Sequence, residues 1–109
     1  MIKIVMLRQN GKTRGFTCGG HAGYAEEGSD IVCSAVSALT MATANGLTEA
    51  AGIDAAVTDD GKILSCIVPE QLSNQQAHDA QLLFDTFEMG VSEIRKDFKK
   101  YLKISDREV

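Results

Sequence analysis

Basic residues are scarce in this chain of 109 residues: 11 Lys and Arg stand against 15 Asp and Glu, a formal net charge of −4. So little positive charge argues against direct nucleic-acid binding, because phosphate contacts need a basic surface. An acidic protein suits a basic client instead. The one basic cluster, Arg95, Lys96, Lys99, Lys100 and Lys103, is interleaved with acidic and apolar residues and reads as the solvated face of a helix. Cysteine is scarce too, with three residues and no paired spacing. That count points to reduced thiols and a cytoplasmic location. No positively charged leader followed by an apolar run is visible, nor is any repeat, linker or low-complexity segment. With 44% hydrophobic residues, residues 1–109 are expected to form a single domain around one core.

Charge is missing altogether from Ile31 to Thr48. The stretch is nearly as long as a membrane span, but Ser34, Ser37, Thr40, Thr43, Asn45, Gly46 and Thr48 make it too polar for one. Apolar residues at Val32, Ala35, Val36, Leu39 and Ala42 recur at helical spacing, so a buried helix is predicted. Small residues on nearly every side imply cover on both faces, a sheet on one and a second copy of the chain on the other. A homodimer is therefore expected, with no membrane contact.

Two hairpins, each followed by a helix, organise the rest. Ile2 to Leu7 and Thr13 to Cys18 read as strands around the turn signal Asn10-Gly11. Ile53 to Thr58 and Lys62 to Val68 read as a second pair around Asp60-Gly61, stopped by Pro69. Ser73 and Gln76 form a capping box for a final helix whose stripe is Ala80, Phe84, Phe87, Val91, Ile94, Phe98 and Tyr101. That stripe reads as core rather than substrate groove, and Gly90 as a bend or a close contact. The tail from Lys99 to Val109 either frays or adds an edge strand from Tyr101 to Ile104. The expected class is α+β, in the order ββαββα, with a mostly antiparallel sheet packed against helices.

Chemistry concentrates between the first hairpin and the first helix. Ser29 or Asp30 is suited to cap the helix, which places Cys33 in its first turn. Free N–H groups and the positive end of the helix dipole there favour a thiolate, the reactive form. His21 follows Gly19 and Gly20, which end a strand and let the chain turn sharply toward the helix start. The pairing suggests a thiol nucleophile with its base; a merely buried Cys–His pair is the plain alternative. Cys18 and Cys66 read as small apolar residues in strands, and His78 as a surface residue. A zinc site drawn from Cys18, His21 and Cys33 with Cys66 or His78 matches no paired-cysteine knuckle, so no metal or other cofactor is expected.

The string Gly20-His21-Ala22, a short glycine-bearing loop, then Asp30-Ile31-Val32-Cys33-Ser34-Ala35-Val36-Ser37 resembles the signature of the ribosomal-processing cysteine protease family, Prp. Length, strand-rich beginning and long final helix extend the resemblance over essentially the whole chain. It implies that His21 and Cys33 are a catalytic dyad. It also implies a role in removing a short N-terminal extension from a large-subunit ribosomal protein precursor, cut after a pair of phenylalanines. A homodimer is implied as well. Ser34 stands where alanine is more usual, a small-for-small change.

In the expected mechanism His21 holds Cys33 as a thiolate, which attacks the scissile carbonyl, and protonated His21 then serves the leaving amine. Backbone N–H groups of Cys33 and Ser34 are candidates to stabilise the oxyanion. Asp30 is the first candidate for a third, orienting residue, with helix capping as its other reading. Ser37, one turn beyond Cys33, either bonds within the site or packs. Gly23, Tyr24, Glu26, Glu27 and Gly28 form either a flap that closes over peptide or an ordinary solvated connection; the resemblance favours the flap. Two other functions stay open: a thiol redox or metal-binding protein using Cys18 and Cys33, and a non-catalytic ribosome assembly factor.

Overall fold

The structure is a computed structural model that describes residues 1–21, 23 and 30–109. Branched and apolar residues dominate β1 (Ile2–Gln9), whose Ile2, Ile4 and Met6 are buried, and β2 (Lys12–Gly19) returns antiparallel beside it. The two-residue turn between them has both Asn10 (φ 52°) and Gly11 (φ 77°) in the left-handed region. This is the turn whose twist matches paired strands, and it is why Asn-Gly occurs there. The register slips by one residue between Leu7 and Arg8, leaving Arg14 as the extra residue of β2.

After α1 (Ile31–Asn45) the helix widens into a π-helical turn over Gly46–Ala50, closed by Ala51 N–H donating to the Gly46 carbonyl at 2.8 Å. The long helix expected to run through Thr48 is thus α-helical only to Asn45. The second hairpin is shorter than expected, with β3 at Ala56–Asp59 and β4 at Ile63–Ile67. Ile53 lies outside β3, because it is buried and its N–H donates to the Leu47 carbonyl. Ser73 and Gln76 make the capping box of α2 (Asn74–Asp97) in both directions.

The final helix stops before the end of its apolar stripe. Phe98 turns out of helical geometry and Tyr101 N–H bonds to the Phe98 carbonyl, so Lys99, Lys100 and Lys103 leave the helix face assigned to them. All three remain exposed. The tail forms β5 (Leu102–Glu108), parallel to β1 with Ile2 opposite Leu102. It is longer than the strand considered for Tyr101 to Ile104, and it does not fray.

The sheet order is β3-β4-β2-β1-β5, antiparallel except for the β1–β5 pair, an α+β fold. Both helices lie on one face. Ile2, Ile4, Met6, Phe16, Cys66 and Leu102 project into the core from the sheet, and Val32, Val36, Phe84, Phe87 and Val91 meet them from the helices. Phe16 stacks on Phe87 at 4.2 Å and meets Phe84 edge-on at 6.2 Å, the geometries aromatic quadrupoles favour. Gly90 marks a close contact: a Cβ there would sit 3.0 Å from Leu39 Cδ1 of α1. Ile31–Ala50 is long and apolar enough to cross a membrane by length and composition, yet Val32, Val36, Thr40, Thr43, Ala44 and Leu47 are buried within the fold.

Candidate functional site

The end of β2 and the start of α1 face one another across a cavity of about 450 Å³. Gly20 directs the chain off the sheet. Its φ of 85° is in the left-handed region, and a Cβ would lie 2.4 Å from the Met1 carbonyl oxygen, so only glycine fits. His21 follows directly, exposed, in the cavity wall. Cys33 stands opposite, half-buried in the first turn of α1. The two residues singled out in the sequence therefore share one cavity, together with Gly23, Asp30, Ser34 and Ser37.

Asp30 caps α1; Ser29, the other candidate, lies outside the described residues. Its Oδ1 accepts hydrogen bonds from Val32 N–H (3.0 Å) and Cys33 N–H (3.1 Å), which satisfies two orphan donors of the first turn. Its carbonyl accepts from Ser34 N–H and from Ser34 Oγ, both at 3.1 Å. The N–H groups of Cys33 and Ser34, expected as oxyanion donors, are thus both engaged by Asp30. Asp30 is buried, with 6% of its surface exposed, and these hydrogen bonds offset the cost of taking its carboxylate out of water. Ser37 opens into the cavity one turn beyond Cys33. Of the candidate flap, Gly23 lines the cavity with φ 74°, while Tyr24, Glu26, Glu27 and Gly28 lie outside the described residues.

Cys18 is the residue that reading by strand pattern missed. It pairs with Ile4 and Leu64 across the sheet and forms part of the cavity wall. Burial pushes its thiol above the ordinary value; a hydrogen bond with Thr40 works the other way, and the charge of Cys33 adds to the rise. Period-two alternation puts Cys18 on the core face without revealing that α1 leaves a gap over it. Cys66 is fully buried, its thiol pushed up to about 11 by burial. His78 is exposed beside Asp79 at 3.4 Å. Among the described residues, no three His, Cys, Asp or Glu side chains are grouped to hold a metal ion.

A thiol and an imidazole in one solvent-accessible cavity, beside a helix N-terminus, can perform acyl transfer. The family model described as cysteine protease Prp matches residues 1–103. The ribosomal processing cysteine protease Prp of Bacillus subtilis (strain 168) is 30% identical over 108 residues, 96% of each chain. Among solved structures, SMU.848 from Streptococcus mutans is 28% identical, with a TM-score of 0.82 over 100% of this chain and 96% of that one. The ribosomal processing protease Prp of S. aureus, in complex with a covalently linked product peptide, shares the fold at 22% identity, with a TM-score of 0.86 over 98% of this chain and 100% of that one. A family match over nearly the whole length, with the B. subtilis relative, makes this chain a member of the Prp family of cysteine proteases.

Proposed function

We propose that this cysteine protease removes the N-terminal extension of a large-subunit ribosomal protein precursor, with Cys33 as nucleophile and His21 as general base and acid. The observation that carries the assignment is the shared cavity: His21 leaves β2 where Cys33 enters α1, and both line the same space. The similarity to ribosomal processing proteases of B. subtilis and S. aureus supports the ribosomal role.

His21 takes the proton of Cys33 Sγ, and the thiolate attacks the scissile carbonyl to form a C–S bond. The oxyanion develops in the field of the positive end of α1. Protonated His21 gives its proton to the leaving amine as the C–N bond breaks, which leaves a thioester on Cys33. Water, deprotonated by His21, then hydrolyses the thioester to a carboxylic acid and returns the thiol. Asp30 keeps the start of α1 in place, and Ser37 stands close enough along the helix to meet bound peptide.

The experiment is mass spectrometry of a peptide spanning the precursor's extension and junction, incubated with the wild-type protein, Cys33→Ala and His21→Ala. A single cut lost in both variants is the expected result. An intact peptide that binds tightly to the wild type would make the protein a non-catalytic assembly factor.

The protein works as a cytoplasmic homodimer in this reading. The outward face of α1 carries Ile31, Ser34, Ala38, Ala42 and Asn45, uncharged and exposed, with Ile31 56% accessible. A face without charge loses little on desolvation and suits a second copy of the same surface. Light scattering at working concentration is expected to give twice the chain mass of 11.7 kDa; the chain mass alone would refute the dimer.

A further inference from the structure

Strand β5 sorts its charges by sign. Asp106 and Glu108 alternate with Leu102 and Ile104 onto the side that faces the helices, where Asp106 Oδ1 accepts from Arg8 Nη2 at 3.0 Å. Lys103, Ser105 and Arg107 fall on the opposite face of the sheet, which neither helix covers. One row of that face crosses all five strands as Ser105, Val5, Thr17, Ser65 and Thr58. The row on one side of it begins with Lys103 and Lys3 and ends at Gly19 and Ile63; the row on the other begins with Arg107. No Asp or Glu stands in any of these rows. Lys99 and Lys100 are exposed in the turn that enters β5, at the end where Lys3 and Lys103 lie. We propose that this face docks folded RNA through its phosphate backbone. The proposal is independent of the protease reading of Cys33.

Charge makes the face receptive. Lys3 and Lys103 are direct partners in the parallel β1–β5 pair, on strands about 5 Å apart, and like charges so placed repel. Among the described residues, ion pairs are made by Arg8, Arg14, His78 and Lys96, and by none of Lys3, Lys99, Lys100, Lys103 and Arg107. An anion laid on the face relieves that repulsion and releases its own counterions. The net charge of −4 hides the patch, because a sum along the chain does not record which side chains share a face.

Shape and chemistry decide the occupant. Arg107 is four residues beyond Lys103, about 13 Å along β5, and three strand spacings from β5 to β4 add about 14 Å across. A broad surface of this kind meets a duplex, whose phosphates are already fixed in place, at less ordering cost than an acidic peptide segment. The hydroxyls of Ser105, Thr17, Ser65 and Thr58 suit phosphate oxygens and the 2′-hydroxyls that a shallow RNA minor groove displays. No aromatic residue stands in the rows to stack an unpaired base. A membrane surface would need apolar side chains to insert, and among these rows Ile63 is the one large apolar residue that is exposed. The dimer proposed through the outward face of α1 leaves this face open.

The test is fluorescence anisotropy of a labelled RNA hairpin titrated with the full chain at salt concentrations from about 50 to 200 mM. Wild type is compared with Lys3→Gln plus Lys103→Gln, with Lys103→Gln plus Arg107→Gln, and with a control, Lys12→Gln plus Lys96→Gln, whose charges lie off the face. With three to five phosphates engaged, the logarithm of the affinity falls against the logarithm of salt with a slope of about −2.7 to −4.5. Each double variant on the face is expected to weaken binding at least about tenfold and to make the slope shallower by about 2, while the control keeps both. Cleavage of the precursor peptide at the wild-type rate shows that the variants are folded. Absence of binding at the lowest salt, or a control that loses as much as the two face variants, overturns the proposal. Binding to polyglutamate or to phosphatidylserine vesicles as tight as to RNA overturns it too, in favour of an acidic protein or a membrane. Wild-type protein that binds RNA but cuts no peptide removes the protease reading and leaves the docking face standing.

Discussion

Asp30 Oδ1 accepts the backbone N–H of Cys33 at 3.1 Å, so the residue that caps the helix also fixes the peptide unit of Cys33. Asp30→Ala strips two first-turn donors of their acceptor and is expected to cost about 1 kcal/mol of stability, with a larger proportional fall in peptide cleavage. Asp30→Asn retains an amide oxygen as acceptor and keeps most of both. Denaturant unfolding together with kcat for the two variants checks this, and equal behaviour of Ala and Asn would refute it.

Gly20→Ala should damage the site without touching either reactive group. The new methyl meets a left-handed backbone and lies 2.4 Å from the Met1 carbonyl oxygen, a combination that destabilises by more than about 1 kcal/mol. Because His21 is the next residue, the chain relaxes by moving the imidazole. Cleavage of the precursor peptide is expected to fall further than the melting temperature alone would explain.

Phe16 is fully buried between sheet and α2, against both Phe84 and Phe87. Phe16→Ala removes the ring and leaves a cavity, with an expected loss of about 3–5 kcal/mol. Phe16→Leu preserves much of the volume and is expected to lose less. Urea midpoints of the two variants measure the difference.

Alkaline stability follows from the buried thiol of Cys66, pushed up to about 11 from an ordinary 9.0. Between these values the unfolded chain has lost this proton and the folded one still holds it, so stability falls as pH rises through the window. Below 9.0 both states hold the proton and the contribution is fully present. Cys18 shifts in the same direction for the same first cause, burial. Cys66→Ala is expected to flatten part of the slope and leave the share due to Cys18; an unchanged slope in unfolding free energy against pH would refute the assignment.

Local signals carried most of the fold. Asn10-Gly11, Ser73 with Gln76, and the stripe from Ala80 to Val91 act within a few residues of themselves, so the hairpin, the helix cap and the buried face all appear where sequence places them. The errors fall where distant partners decide. Ile53 has the composition of a strand, but its N–H is taken by Leu47. Tyr101 continues a helical stripe, but its carbonyl accepts the N–H of Ile2, which turns the chain into β5 instead. The residues of the candidate site were legible because glycine, histidine, a capping acid and cysteine each have a local reason for their place. Cys18 was not, because its importance depends on what α1 leaves uncovered.

The sequence by itself determined the first hairpin, the capping box of α2 and the buried stripe of that helix, and it singled out Cys33 and His21 as candidates, since turn chemistry, capping and helical periodicity act over a few residues. Tertiary structure alone decided that β5 pairs in parallel with β1, that Asp30 occupies the Cys33 and Ser34 donors, and that Cys18 joins the wall of the cavity that His21 and Cys33 share. Those depend on which distant groups satisfy each other's hydrogen bonds and fill each other's space, and no local pattern records that.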